Sequence, residues 1–471
     1  MAAVPSHASV PPLPRRAGSV PMGRAHRLAL ASLGMATAAI ALFGTLGPAP
    51  REAVPAWLGL VGLSIVLLLG VHPYARRLPP TALLRFALGA GLVLRLAALA
   101  APISLSDDVY RYLWDGHLTL AGADVFAARP RAIVGAVPGL TEALLGRLNS
   151  PDYYSVYPPL AQLAFALGAA AERLGLDGVL TLRVLHLSGD LATIALLLEL
   201  LGALGRPRSW ALLYALHPLP VWESAAGPHT EALMLPLLLA ALRFALRREG
   251  ARAGALLALA VAAKLVALLA APLLALHLWR RRVRHGAAFS AAFALVAAAA
   301  FLGWADATRL AHIGESLDLY RGTFSFNAPV LYGLQHAYGY VEGVTDPVDE
   351  RIMPWLAWGL AGVLGVGAAF ALTGDRRDLL TALAGVFLGY FAFSRVVHPW
   401  YLTVVLALGL VAGSRAVAVL GAGALFTYLR YHPLGRETRE VLAIEILPFL
   451  LAIFLELAWR SAPLPRKLSP S

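Results

Sequence analysis

Apolar stretches of about 20 residues recur at 28–47, 54–71, 82–102, 179–202, 286–304, 354–373 and 440–459. Each is long enough for a helix to cross a hydrocarbon core roughly 30 Å thick. Shorter apolar runs at 209–222, 230–246, 378–394, 400–413 and 415–430 end at Pro, Gly or charge. Backbone polar groups in lipid must be satisfied within the segment, so all of these predict helices. The alternation of period two that marks a membrane barrel is absent. The run 28–47 is long for the apolar part of a signal peptide and further spans follow at once, so it reads as an uncleaved span. The pattern predicts an all-α polytopic membrane protein with about 12–14 transmembrane helices.

Arginine clusters set the expected orientation. Arg76/Arg77, Arg206/Arg208, Arg243/Arg247/Arg248/Arg252, Arg280–Arg282 with Arg284, Arg376/Arg377 and Arg460/Arg466/Lys467 are expected on the cytoplasmic side. If 158–174 crossed the membrane, Arg206 and Arg208 would fall outside, so this segment is expected to lie on, or re-enter from, the outer face. The run 253–279 has arginine clusters at both ends and predicts an up-and-back pair of short helices with Lys264 near the outer vertex. One long span with an anomalous flank is the rival reading. The expected organisation is a Pro/Ser/Arg-rich cytoplasmic tail over 1–27, one transmembrane domain over 28–460, and a cytoplasmic tail over 461–471. Outer loops fall at 104–178, including the surface helix, and at 305–352. Residues 104–157 carry six acids and four Arg, and residues 305–352 carry seven acids and three Arg. Loops of this length are usually functional.

Composition agrees and narrows the choice. Of 471 residues 59% are hydrophobic and 14% charged, with mean hydropathy +0.69. That leaves too little polar surface to coat a soluble domain. The net charge of +12 falls mostly on the predicted cytoplasmic segments, so it argues for topology rather than a nucleic-acid partner. With no cysteine, thiolate catalysis and Cys-ligated metals are excluded.

The candidate chemistry concentrates on the predicted outer side. Asp107 and Asp108 open a stretch that continues through Tyr110, Arg111, Tyr112, Trp114 and Asp115. As a helix it puts Asp108, Arg111 and Asp115 on neighbouring turns. A carboxylate here can act as a general base; a solvated juxtamembrane helix with a surface ion pair explains the same residues. Tyr157-Pro158-Pro159 starts a helix whose free amides could face an anion. Glu223, His229 and Glu231 crowd one short turn, where ionisable groups usually line a cavity. His and Glu are competent ligands for a divalent metal, but their spacing matches no strong metal motif, so no cofactor is firmly implied. Lys264, one of two lysines, interrupts an apolar run. Its counter-ion is either an intramembrane acid such as Asp190 or a ligand phosphate. Arg395, His398, Trp400 and Tyr401 form a further junction where Arg and His can hold phosphate oxygens, or where the aromatics simply form an interfacial belt. Asn327 offers an amide to sugar hydroxyls.

In this order the segments resemble integral-membrane GT-C glycosyltransferases, and most of all bacterial polyprenol-phosphate-mannose-dependent mannosyltransferases. The carrying residues are the run 107–116, Tyr157–Leu160, His217–Leu219 leading to 227–231, Lys264, Phe326-Asn327 and 398–401. The likeness covers roughly 82–410, so the two spans before residue 82 look like an addition. It implies transfer of a hexose, mannose by family, from a polyprenyl-phosphate donor to a glycan, lipid-linked or protein acceptor at the outer face, with inversion. Asp108 would be the base, with Asp107 second. Arg111, Asp115, Tyr157, Glu223, His229, Glu231, Asn327, Trp400 and Tyr401 would bind substrate, and Lys264, Arg395 and His398 the phosphate. The family often has Asp where Glu231 stands, and Asn-Pro-Tyr where this chain reads Asp124-Val125-Phe126. A transporter or flippase of a lipid-linked sugar would show repeated halves and midplane charges. No such halves are evident in this chain, and its richest polar set lies in the outer loops.

Overall fold

The computed structural model describes residues 22–304, 306–322, 325–338, 348–432 and 438–461. Most of the predicted tail 1–27, residues 462–471 of the tail after residue 460 and part of the loop 305–352 lie outside them. Seven helices among the described residues are long and apolar enough to cross a membrane: Met22–Leu46, Val54–Ala75, Pro80–Ala98, Gly178–Ala203, Val283–Phe301, Val348–Leu372 and Thr438–Ser461. They coincide with the seven long apolar stretches. Helix starts follow local chemistry. Pro80 begins one helix at a position that needs no amide donor, and the Asp177 carboxylate accepts from the Leu180 amide (2.9 Å) at the start of another.

The shorter runs form broken helices among these spans. Residues 208–226 pass through a 3-10 turn, two four-residue helices and a π-turn at Trp222–Ala226 before Glu231–Leu246 begins. Proline at 218 and 220 and Gly227-Pro228 explain the breaks. The π-turn puts Ser224 against Asp190 (3.0 Å), which also accepts from Tyr214 (2.6 Å) and pairs with Arg95. Asp190 and Arg95 are buried. Asp190 is therefore not the counter-ion of Lys264.

The run 253–279 is broken as expected, into Gly250–Ala263 and Ala270–Arg281. Lys264 between them is extended (φ −158°). Gly250 faces the His285 carbonyl and Gly254 the Phe289 carbonyl, so Gly250–Ala263 runs parallel to the helix that starts at Val283. The chain must then return between them, which puts Lys264 at the far vertex. A Cβ at Gly254 would collide with the Phe289 carbonyl. Gly254→Val should cost about 1–3 kcal/mol by forcing the helices apart. A thermal unfolding midpoint in detergent equal to that of the parent would refute this close approach.

The arginine clusters gather at one end. Arg243 and Arg247 meet Glu199, Arg206 donates to the Ala412 carbonyl (2.6 Å), and Arg415 lies over Trp210. Glu456, near the last described residue, accepts from Ser414 and the Arg415 and Ala416 amides at this end. His26 meets Tyr74 there too. At the opposite end the two long loops dock on each other. Arg309 pairs with Asp124 (2.7 Å), Arg129 with Glu315, and His312 stacks on Tyr154 (3.9 Å). Asp124, at the departure from the family pattern, is thus a tie between loops.

Helix Pro159–Arg173 belongs to this layer. Its 15 residues pack on Asp108–Leu120, where Gly116 allows the Phe165 carbonyl close, and on the first turns of Gly178–Ala203 through Gly168 and Leu182. The helix Val54–Ala75 is part of the core, because Trp57 is buried edge-on against Trp222 (5.6 Å) and Tyr428 (5.5 Å).

Candidate functional site

Under the docked loops lies a cavity of about 850 Å³. Its lining draws together Asp107, Asp108, Tyr157, Glu231, Lys264, Arg395, His398, Trp400 and Tyr401, residues spread over almost 300 positions of sequence. Asp108 is the first residue of helix Asp108–Leu120. Its Oδ1 accepts from the Asn149 side-chain amide at 2.7 Å, which fixes the carboxylate and leaves the other oxygen for a ligand. Asp107 is differently placed, paired with Arg51 at 3.0 Å. Arg51 also lies over the Tyr431 ring (4.7 Å), whose hydroxyl donates to the Leu105 carbonyl (3.2 Å).

Lys264 projects from the helix break and pairs with Glu231, the first residue of its own helix. The ammonium also lies 4.5 Å from the centre of the Tyr401 ring. Glu231 is buried, and its Oε2 has no hydrogen-bond partner among the described residues. The ligand-phosphate and protein-carboxylate readings of Lys264 are therefore not exclusive. The protein supplies one oxygen, and the cation remains on the cavity wall.

Arg395 and His398 are presented by a short extended segment that bridges to Phe326. The Phe326 amide donates to the Arg395 carbonyl (2.9 Å), and the Val397 amide to the Phe326 carbonyl (2.8 Å). Arg395 is buried, with its guanidinium against the Met353 sulfur. Burial pushes the His398 imidazole down to about 3. This favours the hydrogen-bonding contact expected of it over a charged one.

Four residues expected to touch substrate stand behind the wall. Asp115 is buried and satisfied by Arg111 (2.9 Å), Ser155 (2.5 Å) and Gln162 (3.2 Å). Arg111, which reaches the cavity, also donates to the Ser150 and Tyr153 carbonyls. The pair anchors the loop before Tyr157. Glu223 accepts from Tyr428 (2.8 Å) and pairs with His229 (3.2 Å). Burial opposes the charged imidazole of His229, but Glu223 outweighs it and holds His229 above its ordinary value. Asn327, at φ +50°, donates to Glu445 of the last span (2.7 Å).

The sequence reading passed over Arg51, Asn149, Tyr428, Tyr431 and Glu445. Arg51 was visible as an arginine on the acidic side of the expected topology, against the positive-inside trend. Glu445 was visible as an acid inside an apolar span.

Residues 54–280, a little under half of the chain, match a family described as the alpha-(1->6)-mannopyranosyltransferase N-terminal domain. A probable alpha-(1->6)-mannopyranosyltransferase of Mycolicibacterium smegmatis is 30% identical over 155 residues, 32% of this chain and 27% of that protein. Alpha-(1->6)-mannopyranosyltransferase B of Corynebacterium glutamicum is 28% identical over 152 residues, 32% of this chain and 25% of that one. The alignments thus span about a quarter of the length of these relatives. The mannosyltransferase likeness read from the motifs holds. The matched region begins at residue 54, so the helix Val54–Ala75 is part of the shared architecture rather than an addition. It includes Asp108, Glu231 and Lys264 and stops before Arg395 and His398.

Proposed function

We propose that the protein transfers a hexose, mannose in the first instance, from a polyprenyl-phosphate sugar to an acceptor hydroxyl at the membrane's outer face. The observation that carries this is the cavity itself. A carboxylate fixed by Asn149 faces a space whose lining also holds Lys264 and Arg395, in a chain whose relatives are named as mannosyltransferases. Asp108 takes the proton from the acceptor hydroxyl as that oxygen bonds to C1. The C1–O bond to phosphate breaks, and the polyprenyl phosphate leaves with the electron pair. Attack opposite the leaving group inverts the anomeric carbon. Lys264 and Arg395 stabilise charge developing on the phosphate. Because the donor is already activated, orientation and a base are what the protein must add. The orientation follows from the arginine-rich end, which the positive-inside trend assigns to the cytoplasm together with both chain termini.

Purified protein in liposomes should transfer one sugar when offered a panel of polyprenyl-phosphate hexoses with glycan, lipid-linked and peptide acceptors, read by product mass and by the anomeric NMR coupling. Movement of a lipid-linked sugar across the bilayer without a covalent product would overturn the transferase reading in favour of a flippase.

A further inference from the structure

The His229, Trp400 and His398 rings form one column. The His229 imidazole is parallel to the Trp400 indole (3.8 Å, 6°), and the same indole is parallel to His398 (4.3 Å, 6°). Two imidazoles this close to one indole cannot share a face, so Trp400 is sandwiched between them. At its edge His229 is held by Glu223, whose side-chain and main-chain oxygens lie 3.2 and 3.0 Å from Nδ1 in reach of its N–H. Glu223 is in turn held by the Tyr428 hydroxyl, and Tyr428 by the edge of Trp57. At the other end His398 meets Phe326 (4.9 Å), the residue bridged to the Arg395 segment.

We infer that Tyr428, Glu223 and His229 are positioning residues, which fix Trp400 and through it the orientation of the His398 imidazole in the cavity. The inference rests on the transferase reading for its consequence and on the ring geometry for its existence. Glu223 and His229 are buried and do not line the cavity, whereas Tyr428, Trp400 and His398 do. A carboxylate and an imidazole are costly to bury without a return. Here they lock an aromatic platform: a parallel indole–imidazole stack has little angular freedom when its outer ring is hydrogen-bonded. The His398 ring then faces the cavity in one fixed orientation. The π-turn at Trp222–Ala226 serves the same end, because it carries Glu223 beneath His229.

Two readouts test this. In full-length protein in detergent, modification of His398 by diethyl pyrocarbonate, followed by peptide mass spectrometry, should be about tenfold faster in His229→Ala than in the parent, because the stack no longer restrains the ring. In the transfer assay the same variant should lose about 30-fold in kcat while the donor KM moves less than about threefold, since misorientation costs rate more than binding. The double variant Glu223→Gln/His229→Phe keeps a ring against Trp400 and an acceptor for Tyr428, and should recover most of both losses. If His229→Ala does not fold, Tyr428→Phe removes only one hydroxyl and should speed His398 modification about threefold. Unchanged His398 reactivity in the folded variants would overturn the inference. Failure of the parent to transfer any sugar would instead overturn the transferase reading, and the reactivity test would still decide on the column.

Discussion

Asp108→Asn should lower sugar transfer by about a thousandfold while leaving the protein folded, because general-base catalysis is worth roughly 10²–10⁴. The substitution is nearly isosteric, and the new side chain still has an oxygen to accept from Asn149, which now holds Oδ1 at 2.7 Å. What is lost is the second oxygen as a proton acceptor. Asp107→Asn is the informative neighbour. Its carboxylate is tied to Arg51 in a partly exposed pair, an arrangement that positions the loop rather than receives a proton. Its loss should be about tenfold or less, with exposed ion pairs worth at most ~1 kcal/mol. The measurement is single-turnover transfer from saturating polyprenyl-phosphate sugar. If Asp108→Asn keeps more than a tenth of the parental rate, or if the two variants are equally impaired, Asp108 is not the base.

The ranking of the two adjacent acids shows where sequence reasoning stopped. The run Asp107-Asp108 was legible as candidate chemistry because acids at a membrane surface need a reason. Which of them is free is decided by Arg51, 56 residues earlier, and Asn149, 41 residues later. No local pattern encodes those partners. The long spans were legible for the opposite reason: length and hydropathy are local, and the bilayer admits few backbone solutions. The break at Lys264 was also legible, because arginine clusters on both of its flanks leave few consistent paths.

Direction of projection was not legible. Glu223, His229 and Glu231 lie within nine residues, yet Glu231 meets the cavity while the other two stand behind it. The π-turn and Gly227-Pro228 decide this, and a π-turn has no dependable sequence signature. His398 was legible as a group that can donate to phosphate, but the stack of its ring on Trp400 is a tertiary property with no local signature.

The Lys264–Glu231 pair separates structure from chemistry most sharply. Lys264→Met leaves the buried Glu231 carboxylate without its cation, and breaking a buried pair from one side costs about 3–5 kcal/mol. The double variant Lys264→Met/Glu231→Gln removes both charges, so stability should return to within about 1 kcal/mol of the parent. Transfer should not return. A cation is needed on the cavity wall as the phosphate departs, and losing it should cost about 100-fold in both variants. The Lys264 side chain is 23% exposed against 4% for Glu231, so the ammonium keeps a wet face toward the cavity after meeting its carboxylate. Thermal unfolding in detergent reads the first quantity and single-turnover transfer the second. If the double variant regains activity along with stability, Lys264 serves only to neutralise Glu231. If stability recovers and transfer stays low, the lysine's remaining valence is spent on substrate, as a cation facing a phosphate requires.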